Sequence, residues 1–504
     1  MRTWRRLRFA IAVAVAGAAV GGVATARADE GALRLREAIA LALRNSPTLG
    51  AAVADVAAAE GNLTAAWGLD DFLIDASATW VENRKELVGG VQFQQPALDD
   101  LLLTAALTRP LPTGGKLGLK LSTEYTRTES VLIDPMLGPQ SSLSEVVAPS
   151  LQLVFSHPLL RGIGRDAARA QRRRARAARD VATLNREASC AALLRDVIGA
   201  YWDLLFATEE LEIRRALADS AREQLRVVQA NIGVGKQPTS ASAEVEVAIA
   251  LRTEDALFAE QALAERTLEL RRLLGLEVGP AAAGLRAGDR PDGAAETPPI
   301  ADALQAALER NPQLAAARAQ GRAAAIEIDV TENGLLPQLD LTASGGPTGN
   351  ADHANTGKAF SQLGDLSSYA LSAGLVFQHP IGRRAALGAR DAAQAGLRKA
   401  RLSEADIRLQ VETAVARASA AVDVARRRIA ALAQTVDTAN LDLAAERARF
   451  EVGRATNFDV LRRQEEVAQA KLRQVRARTE FLKVVAVLEA LTGDILPRYG
   501  VVLQ

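Results

Sequence analysis

Hydrophobic positions along this chain change period several times, and each change predicts a different element. Over residues 35–66 and again over 300–332, small apolar residues recur at helical spacing. Between about 70 and 158 the pattern switches to strict alternation. Leu117, Leu119, Leu121 and Tyr125 interleave with Gly118, Lys120, Ser122 and Glu124, and Leu151, Leu153 and Phe155 with Gln152, Val154 and Ser156. Within about 337–380, Leu339, Leu341 and Ala343 alternate with Gln338, Asp340 and Thr342, and Leu371, Ala373, Leu375 and Phe377 form another face. Period two predicts strands. Helical spacing then returns over about 165–232 and 383–452, each followed by a shorter run at 241–274 and 459–492. At about 1.5 Å per residue the long helices reach about 100 Å and the shorter ones about 50 Å. Two short helices end to end match one long helix, which predicts a column of paired helices with strands at one end and turns at the other.

The chain also repeats itself. Ala42-Leu43-Arg44-Asn45-Ser46-Pro47-Thr48-Leu49 is echoed by Ala307-Leu308-Glu309-Arg310-Asn311-Pro312-Gln313-Leu314. Leu153-Val154-Phe155-Ser156-His157-Pro158 is echoed by Leu375-Val376-Phe377-Gln378-His379-Pro380, and Gly233-Val234-Gly235 by Glu451-Val452-Gly453. Echoes in the same order predict two homologous repeats, 29–278 and 300–504, joined by a Gly-, Ala- and Pro-rich linker at 279–299. Their long helical hairpins fall at about 165–275 and 383–493.

Two strands per repeat make four per chain, below the roughly eight that close a barrel. Open edges cannot persist in hydrocarbon, so alternating polar and apolar faces predict a barrel shared between chains; three chains supply about twelve strands. A further hairpin candidate lies around Pro112-Thr113-Gly114-Gly115, with 101–111 facing 116–126. The second repeat has no counterpart, and the pattern leaves open whether this hairpin joins the barrel.

Composition sharpens the picture. A net charge of +1 and 24% charged residues over 504 give no footprint for nucleic acid. Hydrophobic residues reach 48% while aromatics are only 4%, and the alanine excess favours slim, closely packed helices. Arg2, Arg5, Arg6 and Arg8 precede an apolar run at 9–23 and Ala26-Arg27-Ala28, the outline of a signal peptide over 1–28. No later stretch is long and apolar enough for a transmembrane helix. Cys190 is the only cysteine, so no intrachain disulfide framework forms.

These features together resemble the TolC-type outer-membrane efflux protein family. The resemblance rests on the Asn/Ser-Pro-x-Leu helix opening, the strand running into Pro-Leu or Pro-Ile, and Val452-Gly453-Arg454-Ala455-Thr456-Asn457-Phe458-Asp459-Val460-Leu461 before a helix ending at Leu491-Thr492-Gly493. It implies an α+β membrane protein: a long α-helical barrel of coiled-coil hairpins joined to a transmembrane β-barrel shared by a homotrimer, with two repeats per chain. It further implies an outer-membrane conduit in a Gram-negative cell with a large periplasmic part. Such a conduit works with a periplasmic adaptor and an inner-membrane pump or exporter, in contact with outer-membrane lipid and without nucleic acid. The turns Val234, Gly235, Lys236 and Val452, Gly453, Arg454 are then adaptor-docking tips. Asp459 becomes a ring of three carboxylates at the periplasmic gate, with Arg462 one turn on, where it could pair with Asp459. An Asp at a helix start is also a plain cap.

No nucleophile motif or phosphate loop is present, so neither an enzyme nor a cofactor is expected. His157, His353 and His379 have no acidic or cysteine partner at ligand spacing and read as structural, not as a metal site. The run Arg172-Arg173-Arg174, Arg176 and Arg179 reads as a solvated face, and Tyr201-Trp202 as packing between subunits. A periplasmic coiled-coil scaffold is the rival reading; it has no need of amphipathic strands in both halves.

Overall fold

The computed structural model describes residues 32–88, 91, 93–134, 136–277, 285–291 and 296–502. The expected signal peptide and parts of the expected linker lie outside these residues. Two compact units emerge.

One unit gathers Ala58–Asp180 and Gln320–Arg401. It holds a seven-stranded sheet. The long strands are β1 (Leu73–Arg84), β2 (Phe93–Pro110), β3 (Lys116–Asp134), β4 (Gly138–Pro158), β5 (Gln338–Pro347) and β6 (Tyr369–Gln378). They pair in that order, each antiparallel to the next, and the two-residue strand Ala351–Asp352 adds to β4. Four strands per chain was therefore too few. The Pro112–Gly115 turn closes a full hairpin within the sheet, because alternation continues through β2 and β3 and both neighbours have free ladders to pair with.

Opposed residues in an antiparallel ladder share a face. One row reads Ile74, Leu107, Leu119, Leu153, Gly345, Leu371; three residues along, a row on the opposite face includes Ser77, Thr104, Ser122 and Ser150. The apolar face is open to its surroundings, with Ile74 77% and Leu371 75% exposed. On the polar face hydroxyls bridge strands, Ser77 to Thr104 at 2.6 Å, Ser122 to Ser150 at 2.7 Å and Ser344 to Ser372 at 2.8 Å.

The loop expected between β5 and β6 instead contains a helix, Thr356–Asp365. It packs on β4, where Val147 is buried, and Tyr125 of β3 meets the ring of His353 edge-on at 5.1 Å. The arginine run is not a solvated face. Arg172 pairs with Asp70 and lies over the Trp67 ring, Arg173 reaches Asp329 at 2.8 Å, and Arg174 grips Glu327 through two bonds. Acids far away in sequence are the reason. His157 stacks on Phe155 and bonds Thr113, and His379 stacks on Phe377, so both sit in equivalent strand-end contacts.

The other unit gathers the described parts of Met1–Ala57, Val181–Ala319 and Leu402–Gln504. Its helices, some shared with the first unit by chain continuity, are α1 (Leu35–Asn45), α2 (Pro47–Trp67), α3 (Ala170–Gly233), α4 (Ser240–Leu273), α5 (Ile300–Arg310), α6 (Pro312–Gly334), α7 (Arg384–Glu451) and α8 (Asn457–Thr492). The expected single helices at 35–66 and 300–332 break at Pro47 and Pro312. A proline at the first helical position is preorganised to start a helix but ends the one before it. Gly275 and Gly493 seat these breaks: a Cβ there would lie 2.4 Å from the Asn45 carbonyl oxygen and 2.6 Å from that of Arg310.

Tyr201 is fully buried in its own chain, donating to Asp289 at 2.7 Å, with Trp202 beside it. Packing between subunits is excluded for this ring. Burial beside Asp289 pushes the Tyr201 hydroxyl upward, and burial pushes the Cys190 thiol up to about 11. Among the described residues no helix is long and apolar enough to cross a membrane.

Candidate functional site

The two helical tips are built alike. After α3, the Gly235 N–H donates to Ile232 and the Lys236 N–H to Asn231; after α7, the Gly453 N–H donates to Phe450 and the Arg454 N–H to Arg449. Gly235 and Gly453 take φ of 73° and 75°, the left-handed geometry that stops a helix within one residue. The stop leaves Val234 and Val452 about 70% exposed, an apolar pair with Lys236 and Arg454 beside them.

Past the second tip, Thr456 and Asp459 form a capping box: the Asp459 N–H donates to Thr456 Oγ1 and the Thr456 N–H to the Asp459 carboxylate at 2.9 Å. The Thr456 hydroxyl, donating to the same carboxylate at 2.6 Å, and the Thr456 N–H hold the Asp459 carboxyl below its ordinary value. Arg462 does not pair with it. Its guanidinium turns to Glu466 at 3.2 Å, the next turn along the same helix, which Arg463 also reaches at 2.6 Å.

Sequence reasoning missed what ties α8 to the first hairpin. Arg252, only 6% exposed, donates to the Leu217 and Leu461 carbonyls and to Gln464. Desolvation lowers its pKa, with Glu465 opposing. Lys483 reaches Asp203 at 2.7 Å, Arg214 reaches Asp255 and Glu465, and Asn457 accepts from Gln224 at 3.1 Å. A signal existed: Val245, Arg252 and Ala259 are buried at seven-residue spacing, so Arg252 occupies a coiled-coil seam where a charge is out of place.

The stretch 303–494, running from α5 through this tip to the end of α8, matches the family described as Outer membrane efflux protein. Over that stretch the chain is similar to the family. This match and the relatives that follow place it in the outer membrane of a Gram-negative cell. The outer membrane efflux protein BepC of Brucella suis is 25% identical over 287 residues, 56% of this chain and 59% of that protein. The pyoverdine export outer membrane protein OpmQ of Pseudomonas aeruginosa is 29% identical over 153 residues, 30% of this chain and 31% of its own. The matched stretches thus span less than two thirds of either relative. The outer membrane protein VceC of Vibrio cholerae shares the fold at a TM-score of 0.64 and 18% identity, covering 91% of this chain and 96% of that one. The tips, the capping box and the Arg252 ties lie in one unit and the two-faced sheet in the other.

Proposed function

We propose that this protein is a homotrimeric exit duct giving passive passage across the outer membrane to substrates delivered by an inner-membrane pump through a periplasmic adaptor. One observation carries this reading: the sheet has an apolar face, a polar face and two unpaired edges. In hydrocarbon that arrangement closes only by sharing strands between copies. The two-repeat organisation supplies two hairpin tips per copy, and the tips Val234-Gly235-Lys236 and Val452-Gly453-Arg454 dock the adaptor's helices. The native mass of the mature protein extracted from isolated outer membranes tests the duct. A trimer supports it; a soluble monomer or dimer in the periplasm overturns it in favour of a scaffold.

The docking role predicts that Gly453→Trp blocks pump-dependent export while outer-membrane levels stay normal, since no atom lies within 4 Å of a Cβ at Gly453. The left-handed φ makes any side chain there cost about 1–2 kcal/mol locally, far below the stability of the whole. Gly453→Asn, which tolerates that conformation, retains most export. Unchanged export in Gly453→Trp rejects the docking assignment.

Asp459, repeated in three copies, forms the acidic constriction of the gate. Its folded pKa is depressed, so the ring stays ionised above the ordinary Asp range and discharges only as pH falls through the lowered value. Cation selectivity in planar bilayers is therefore expected to be flat from about pH 5 to 8 and to drop in Asp459→Asn throughout that range. Equal selectivity in the variant removes the ring.

A further inference from the structure

The wall of this duct contains more strands than the repeat pattern requires. After the linker the chain contributes two long strands to the sheet; before it, four. The surplus is the β2–β3 hairpin, inserted between β1 and β4. Both its ladders are complete: β1 pairs with β2 from Leu73–Thr108 to Arg84–Ala97, and β3 with β4 from Lys116–Ser156 to Asp134–Gly138.

Several rows cross the insertion without changing character, among them Ala76, Ala105, Leu121 and Leu151. Trp80, Leu101, Tyr125 and Val147 form one row on the apolar face. The next is charged, Glu82, Asp99, Arg127 and Glu145, joined by contacts of Arg84 with Asp99 at 2.6 Å and Arg127 with Glu145 at 3.6 Å. Apolar rows followed by a charged one mark the limit of a lipid-facing band. On β3 the apolar positions run from Leu117 to Tyr125, within the roughly 9–11 residues that span a bilayer, with Tyr125 and Val147 at the far end covered by His353 and the Thr356–Asp365 helix. The turn at the other end is docked as well. The Leu111 N–H donates to the Gly115 carbonyl, the Gly164 N–H to the Thr113 carbonyl, and His157 Nε2 bonds Thr113 Oγ1 at 3.0 Å.

The free edges belong to β1 and β6, and all their residues are exposed. Five antiparallel steps separate them, so β1 and β6 run in opposite directions and can extend the ladder antiparallel between copies. We infer that the barrel has eighteen strands, β1–β6 from each of three copies sealed by β1 to β6 of the next, and that the inserted hairpin widens the bore. This rests on the trimeric duct proposed above. Strands about 4.8 Å apart and tilted about 40° give a backbone diameter on the order of 35 Å for eighteen strands, against about 24 Å for twelve. The outer-membrane section then admits cargo of larger cross-section than two strands per repeat would allow.

Two neighbouring positions on the hairpin test the wall. Lys120 shares the polar face with Gln152, and Leu119 shares the apolar face with Leu153. Cys190 is buried, so the natural thiol is shielded. In trimers embedded in planar bilayers, a charged membrane-impermeant methanethiosulfonate is expected to modify Lys120→Cys with loss of conductance and to leave Leu119→Cys untouched. Equal modification of both places the hairpin in water and overturns the inference. Electron cryomicroscopy of the unsubstituted protein counts strands without any variant. Three copies with eighteen support the inference. Three copies with twelve overturn it while the duct stands; absence of a trimer overturns the duct itself.

Discussion

Gly346→Ala is expected to leave almost no assembled protein in the outer membrane. Gly346 lies in β5 where it crosses close to β4, and an added Cβ would stand 2.0 Å from the Leu151 carbonyl oxygen and 3.0 Å from the Gln152 Cα. Both obstacles are backbone, so no side chain can swing away. Relief requires β5 to separate from β4, which opens the ladder from Leu153–Gly345 to Pro158–Asp340. In water such a loss is partly repaid by solvent; in hydrocarbon each unpaired backbone group costs several kcal/mol. Semi-native electrophoresis of outer-membrane fractions reads the outcome. Gly374→Ala on β6 is the control, because its Cβ would meet only the Thr342 hydroxyl, at 3.2 Å, and it should assemble near normal levels. Normal assembly of Gly346→Ala would show that this crossing does not hold the sheet.

Arg252→Ala is the second large effect. The guanidinium is buried without a carboxylate in contact and is held by the Leu217 and Leu461 carbonyls and the Gln464 side chain. Its removal leaves those acceptors buried and unpaired and a gap in the seam, a loss on the order of 3–5 kcal/mol per copy. Arg252→Lys keeps the charge but not the planar fork, so it should recover only part of the loss. Because the bonds run from the first hairpin to α8, the duct reading adds a second expectation: the tips loosen and resting conductance rises. Thermal unfolding of the extracted trimer and single-channel recording separate the two. A lower midpoint with unchanged conductance makes Arg252 a packing residue only.

The helices were legible because their determinants are local. Apolar spacing, and Gly235 and Gly453 at helix ends, act within a turn or two of where they stand, though the breaks at Pro47 and Pro312 were read through as continuous helix. Alternation located β3 to β6, and the turn at Pro112–Gly115 placed β2 opposite β3, but β1 was missed although Ile74, Ala76, Ala78 and Trp80 alternate with Asp75, Ser77 and Thr79. What alternation cannot state is which strand lies beside which, so the hairpin's place in the sheet was open until the ladders were drawn. The arginine run and Arg462 failed for a related reason. Arg173 and Arg174 answer to Asp329 and Glu327 across more than a hundred and fifty residues, while Arg462 chose Glu466 over Asp459, whose carboxylate Thr456 already occupied.

By itself, then, the sequence determined most elements of this protein: where the long helices run, which residues alternate, and which glycines end a helix. These are short-range consequences of backbone geometry and side-chain period. Only the tertiary structure decided that six long strands form one wall, that Tyr201 is buried in its own chain against Asp289, and that Arg252 joins α4 to α3 and α8. Each of those depends on partners distant along the chain. Burial and hydrogen bonding select such partners by position in space, which no local pattern records.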